Sequence, residues 1–131
     1  MSKPHYHAAI WIDHREAFVV FVGGGSEKTE RVESGMEKHV RFSGHAAAEE
    51  GSADDQRDRQ FAAHLDRYYD AVIAHVRDAT SILLFGPGEA KGEFEKRLAS
   101  KGLGARIVGV ETTDKMTDRQ IAAKVRQHFQ K

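Results

Sequence analysis

Three groups of residues in this 131-residue chain are of a type and spacing that could do chemistry. The first is the corner Gly86, Pro87 and Gly88, which follows the apolar run "SILLF" and opens a charged stretch. A glycine-rich turn at a helix start can cradle phosphate, because unpaired backbone N–H groups and the positive helix end face the ligand. The run G-P-G-E-A-K-G fits neither the dinucleotide nor the P-loop fingerprint, and Pro87 has no N–H to donate. Glu89 sets a carboxylate where a phosphate would sit, and a carboxylate suits the first turn of a helix. The corner is read as structural, and no cofactor is expected.

The second group is the carboxylates and histidines. A two-metal nuclease gathers several carboxylates around its ions. Asp13, at the end of an apolar strand, could begin such a set with Asp66 or Asp70, but "SILLF" supplies no ligand where another is needed. Asp13 also suits a hairpin turn, where its side chain bonds its own backbone. Among eight histidines, His5 and His7 alternate onto one strand face, His14 sits at the turn, and His39 and His45 lie in an irregular segment. No spacing among them demonstrates a metal site, so the candidates stay at Asp13, His5 and His7. None of the serines has a nucleophile-elbow context, and the absence of cysteine excludes disulfides, thiolate–zinc sites and a Cys nucleophile. These residues favour binding over catalysis.

The third group is cationic. Residues 1–85 carry ten Lys/Arg against fourteen Asp/Glu, and residues 86–131 carry ten against six. The whole chain is neutral, so any polyanion is expected at the C-terminal third. Lys91, Lys96, Arg97, Lys101, Arg119, Lys124 and Arg126 come from two helices whose apolar faces, Phe94/Leu98 and Ile121/Val125, must turn inward. If those helices share a face of the sheet, the cations form a phosphate-contacting patch centred on Lys96, Arg97 and Lys101.

Positioning these groups falls to eight elements. "HAAIWID" and "EAFVVFV" are strands separated only by "HR", and after "GGGS" the charged "EKTERVES" makes a third, edge strand. Residues 35–59 lack a clear period and form a long loop, although Ser52 and Asp55 resemble a capping box. Phe61, Leu65, Tyr68, Val72 and Val76 recur at helical spacing, and of the adjacent Tyr68 and Tyr69 one is expected in the core and one at its edge. "SILLFG" is a buried strand, a second helix carries Phe94, Leu98 and Leu103, and "ARIVGVE" is a fifth strand. Thr117 and Gln120 cap a last helix with Ile121, Val125 and Phe129 inward. The order β-β-β-α-β-α-β-α with right-handed crossovers predicts one α/β domain over residues 1–131. Its ribonuclease H-like, five-stranded mixed sheet runs 3-2-1-4-5, with helices on both faces. No apolar run reaches about 18 residues, and "MSKPHYHAAI" lacks a signal peptide's hydrophobic region. A cytoplasmic location away from membranes is therefore expected.

The strand "HAAIWIDHREAFVVFV", the helix "RQFAAHLDRYYDAVIAHV" and the strand-corner-helix "SILLFGPGEAKGEFEKRL" resemble the middle domain of Pelota and of archaeal and eukaryotic class-1 peptide release factors. The resemblance spans nearly the whole chain and implies a setting in translation, with the ribosome, rRNA or a protein as partner. Release factors carry a Gly-Gly-Gln tripeptide between the third strand and the long helix. Residues 35–59 contain none, and Gly23, Gly24 and Gly25 lie in the preceding turn followed by Ser26. The resemblance thus implies the Pelota-like branch without peptide release. Glu49, Glu50, Asp54, Asp55 and Asp58 against Arg57 and Arg59 also make the loop a poor neighbour for rRNA phosphate. A metal-dependent nuclease and a protein-interaction domain are the alternatives.

Overall fold

The computed structural model describes residues 6–23, 26–35 and 51–129. Strands β1 (His7–Ile12), β2 (Glu16–Gly23) and β3 (Ser26–Glu33) precede the long helix α1 (Gly51–Val76). Strand β4 (Ser81–Gly86), helix α2 (Ala90–Ser100), a 3₁₀ turn (Gly104–Arg106), strand β5 (Ile107–Thr112) and helix α3 (Asp118–Phe129) follow. The sheet order is β3-β2-β1-β4-β5, as expected. β1 pairs antiparallel with β2 and parallel with β4, and β4 pairs parallel with β5.

Strands β1 and β4 are buried from both sides, which is why they read as continuous apolar runs. Ala8, Ile10 and Ile12 join Ile82 and Leu84 beneath α1 and α2, with Leu65, Tyr68, Val72, Phe94 and Leu98. Ala9 and Trp11 join Leu83 and Phe85 on the opposite face, beneath Ile121 and Val125 of α3. The chain crosses from β3 through α1 to β4 and from β4 through α2 to β5, in one direction across the sheet. Two right-handed crossovers in the same direction place α1 and α2 on the same face.

Several local expectations change. The first hairpin has three loop residues, Asp13 to Arg15, because Asp13 leaves the strand to bond backbone: its N–H donates to the Glu16 carbonyl at 3.0 Å. Helix α1 starts at Gly51, so residues 51–59 are helical where a loop was expected; residues 36–50 and the side chains of the Ser52–Asp55 cap lie outside the described residues. Leu103 is buried but follows α2 rather than riding on it. The helix ends in a Schellman-type turn: Gly102 takes φ 80°, its N–H donates to Ala99, and the Leu103 N–H donates to Leu98. That turn folds Leu103 back onto the same core as Leu98. Both tyrosines, Tyr68 and Tyr69, are buried, since neighbouring positions on a helix can both reach the core when two elements pack across it. The Thr117–Gln120 capping box forms in both directions, at 2.9 and 3.2 Å.

Phe94 is fully buried and meets Tyr69 edge-on at 5.7 Å, joining α2 to α1 above the sheet. Phe94→Ala is expected to cost about 3–5 kcal/mol in urea unfolding, with an unchanged slope against denaturant.

Candidate functional site

The Gly86-Pro87-Gly88 corner sits where β4 leaves the sheet beside the end of β1. Gly86 has φ 146°, and a Cβ there would lie 2.4 Å from the Ile12 carbonyl oxygen. Only glycine lets the two strand ends come this close. Gly88 has φ 67° with open space around it. The loop closes on itself: Lys91 is buried and its Nζ donates to the Gly88 carbonyl at 2.6 Å. Lys91 is thereby withdrawn from the outward-facing set expected of it. Glu89 takes the N-cap position of α2, and its carbonyl accepts from the N–H groups of Gly92 and Glu93.

A polar cluster stands beside this corner, at the carboxyl end of β1. Asp13 Oδ1 accepts from the N–H groups of Arg15 and Glu16, both at 2.8 Å, which shapes the hairpin. The Tyr68 hydroxyl donates to the Asp13 carbonyl at 2.9 Å. Glu93 Oε1 accepts from the Tyr69 hydroxyl at 2.7 Å and lies 3.0 Å from His14 Nε2. Ser34 Oγ donates to the His14 carbonyl at 2.7 Å, and His64 bonds the Ser34 carbonyl. Burial, reinforced by the neighbouring carboxylates of Asp13 for Tyr68 and Glu93 for Tyr69, pushes both tyrosine pKa values well above the ordinary range. The hydroxyls are fixed as neutral donors. These bonds tie the hairpin, β3, α1 and α2 together, and the sequence offered no cue to Glu93, which meets residues 79 and 24 positions away.

Below the cluster, an open groove of about 500 Å³ runs between α1 and α2, with Phe61, Leu65 and Tyr69 on one side and Glu93, Lys96 and Arg97 on the other. Arg97 clamps Asp70 with two bonds, at 2.9 and 2.8 Å, and reaches Asp66 at 3.7 Å. The Arg97 hydrogen bonds hold the Asp70 carboxyl below the usual carboxylate range. Asp66 and Asp70 therefore serve Arg97 and do not join Asp13. Among the described residues, no group of three or more His, Asp or Glu could hold a metal ion. His7 stacks on Phe129 at 4.7 Å, and His5 lies outside the described residues.

The expected cationic patch is divided. Lys91, Lys96, Arg97 and Lys101 belong to α2 and its end, whereas Arg119, Lys124 and Arg126 ride on α3, across the sheet. Most are already neutralised. Lys101 approaches Asp70 at 3.9 Å, Lys124 meets Glu111 at 2.7 Å, and Arg126 bonds both oxygens of Glu27. Among the described residues, Lys96 and Arg119 are exposed and make no ion pair.

No protein-family model and no curated protein matches the sequence. Solved structures do match in fold. The Pelota protein of Thermoplasma acidophilum superposes with a TM-score of 0.56 at 16% identity, over 93% of this chain and 32% of its own. Archaeoglobus fulgidus Pelota gives 0.58 at 11% identity, over 98% and 32%. The archaeal translation termination factor aRF1 gives 0.56 at 11% identity, over 93% and 34%. The fold is that of a Pelota- and aRF1-like middle domain. This chain spans about a third of the length of those structures, and at such identity the likeness is one of fold.

Two expected outcomes follow from this geometry. Gly86→Ala should destabilise by about 2–4 kcal/mol, through positive φ and the collision with Ile12, whereas Gly88→Ala should cost about 1 kcal/mol for its φ alone; urea unfolding of both variants measures the difference. Second, because the tyrosine pKa values are raised in the fold, stability should hold below the unfolded value of 10.0 and fall above it. Each tyrosine contributes a slope of about 1.4 kcal/mol per pH unit. Unfolding free energies taken across that limb should flatten in a Tyr68→Phe/Tyr69→Phe variant.

Proposed function

We propose that this chain is a translation-associated binding domain that acts without releasing peptide. One observation carries the reading: the likeness to Pelota and aRF1 runs through more than nine-tenths of the chain, in a sequence with no Gly-Gly-Gln tripeptide. Without that tripeptide, the release-factor route to peptidyl-tRNA hydrolysis has no side chain to run on. The proposal covers residues 1–131 as one domain of cytoplasmic setting, with the ribosome or rRNA as partner. Dom34 of S. cerevisiae, whose structure matches this chain with a TM-score of 0.52 at 10% identity, is described as interacting with Hbs1. A protein partner belongs to the same reading.

Phosphate contact in this scheme rests on few cations. Lys96, at the rim of the α1–α2 groove, can meet a phosphate there without first breaking an ion pair, with Lys101 nearby on its weaker, 3.9 Å pair. Arg119 offers a separate contact on the other face. Lys91 is spent on the corner.

Sedimenting the full chain through ribosome gradients at low and high salt tests the proposal. Co-sedimentation at low salt that weakens steeply as salt rises is expected, with Lys96→Glu shifting the loss to lower salt. Peptidyl-tRNA on stalled ribosomes should remain intact at the level of a protein-free control. Peptide release above that control, or an absence of ribosome association at any salt, would overturn it.

A further inference from the structure

The two edges of the sheet differ in kind. The β3 edge, "SEKTERVE", carries Glu27, Lys28, Glu30 and Arg31, and charges of this density oppose pairing with another strand. Two of its residues are tied to α3 instead: Arg31 bonds Asp118 at 2.8 and 2.7 Å, and Glu27 holds Arg126. The β5 edge, "IVGVET", carries a single charge, Glu111, which is paired with Lys124 of α3. It holds Val108 and Val110, the exposed large hydrophobic residues among those described, at 53% and 39% exposure.

The backbone of β5 states what kind of partner fits. The Thr113 N–H donates to the Gly86 carbonyl on β4, so residue 113 points its backbone groups inward. Along a strand these groups alternate from side to side, and β4 register partners continue through Gly109, Val110 and Glu111. Val110 and Thr112 therefore aim N–H and C=O away from the sheet, to the open edge. A register shift beside Ile82 also leaves Val108 without a partner on β4. The side chains of Val110 and Thr112 share one face of the strand, as partners of Leu84 and Gly86, and Val108 is exposed at the register shift, where the alternation breaks. All three are β-branched, the type that packs best on a neighbouring strand.

We infer that β5 pairs antiparallel with the β5 of a second copy of this chain, with the two-fold axis at Val110. In that register Val110 faces Val110 of the other copy in a hydrogen-bonded pair, Val108 faces Thr112, and Glu111 faces Gly109. The charged side chains do not meet, because Glu111 lies opposite a glycine rather than its own copy. Moving the axis one residue to Glu111 would set like charges face to face and put inward-pointing backbone groups at the seam. Centred at Val110, the seam forms backbone hydrogen bonds through Val110 and the residues beside it and covers the Val110 and Thr112 side chains of both copies. Two five-stranded sheets become one continuous sheet, and an isologous pairing of this kind closes on itself.

Sedimentation equilibrium of the full chain from micromolar to millimolar concentration, with amide hydrogen exchange at both ends of that range, tests this pairing. A monomer–dimer equilibrium is expected, with the Val110 and Thr112 amides gaining protection as dimer forms. Val110→Pro removes an outward N–H without touching the β4 ladder, and Val110→Lys sets two cations opposite each other while keeping the backbone donors. Both should remain monomeric with native circular dichroism, and Val110→Lys keeps the test valid if the proline variant fails to fold. A wild-type chain that stays monomeric throughout, a folded Val110→Lys variant that still dimerises, or a monomer that takes up an extended peptide at β5 in place of a second copy would each overturn the inference.

Discussion

Because β4 runs parallel beside β1, buried on both faces, and therefore parallel to β3 as well, no tight turn can bring the chain from β3 into it, and the chain must leave the sheet and return along a helix. Much of the architecture follows from that pairing. The crossover through α1 and the next one through α2 advance in the same direction and so stack on one face, leaving the other to α3. Where the two strands end together, the Gly86 backbone comes so near the Ile12 carbonyl that a side chain has no room. The glycine corner is thus a consequence of strand packing, and Lys91 completes it by bonding the loop's own backbone instead of a ligand.

The same crowding at the carboxyl ends of the strands explains the polar cluster above them. A hairpin turn, the end of β3 and two helices converge there with buried tyrosines whose hydroxyls need acceptors. Asp13 and Glu93 supply these, and His14, His64 and Ser34 close the remaining gaps. Every one of these bonds joins separate elements. The cluster consequently works as a clasp holding the meander to the helices, with its tyrosine protons fixed in place by burial.

Charge is handled in the same local way. Arg97 with Asp70, Lys124 with Glu111, Arg126 with Glu27 and Arg31 with Asp118 link neighbouring elements at the surface. Pairs so exposed add little to stability, but they set the direction of long side chains and remove most of the cationic excess from the C-terminal third. What is left for an anionic partner is sparse and divided between faces.

The sequence by itself determined the type and order of the strands and α-helices among the described residues, because periodicity, turn residues and caps act over a few positions. The Thr117–Gln120 box, the helical spacing from Phe61 to Val76 and the apolar run "SILLF" are all signals of that range, and connection handedness extended them to the sheet order. Tertiary structure alone decided which charges stay free and which helices share a face. Lys91 and Lys96 look equivalent in the chain, yet one is buried against Gly88 and the other stands at a groove rim, because a helix's rotation is set by the core beneath it. Glu93 carried no local mark either: its partners, His14 and Tyr69, come from distant segments that meet only once the β1–β4 pairing has brought the strand ends together.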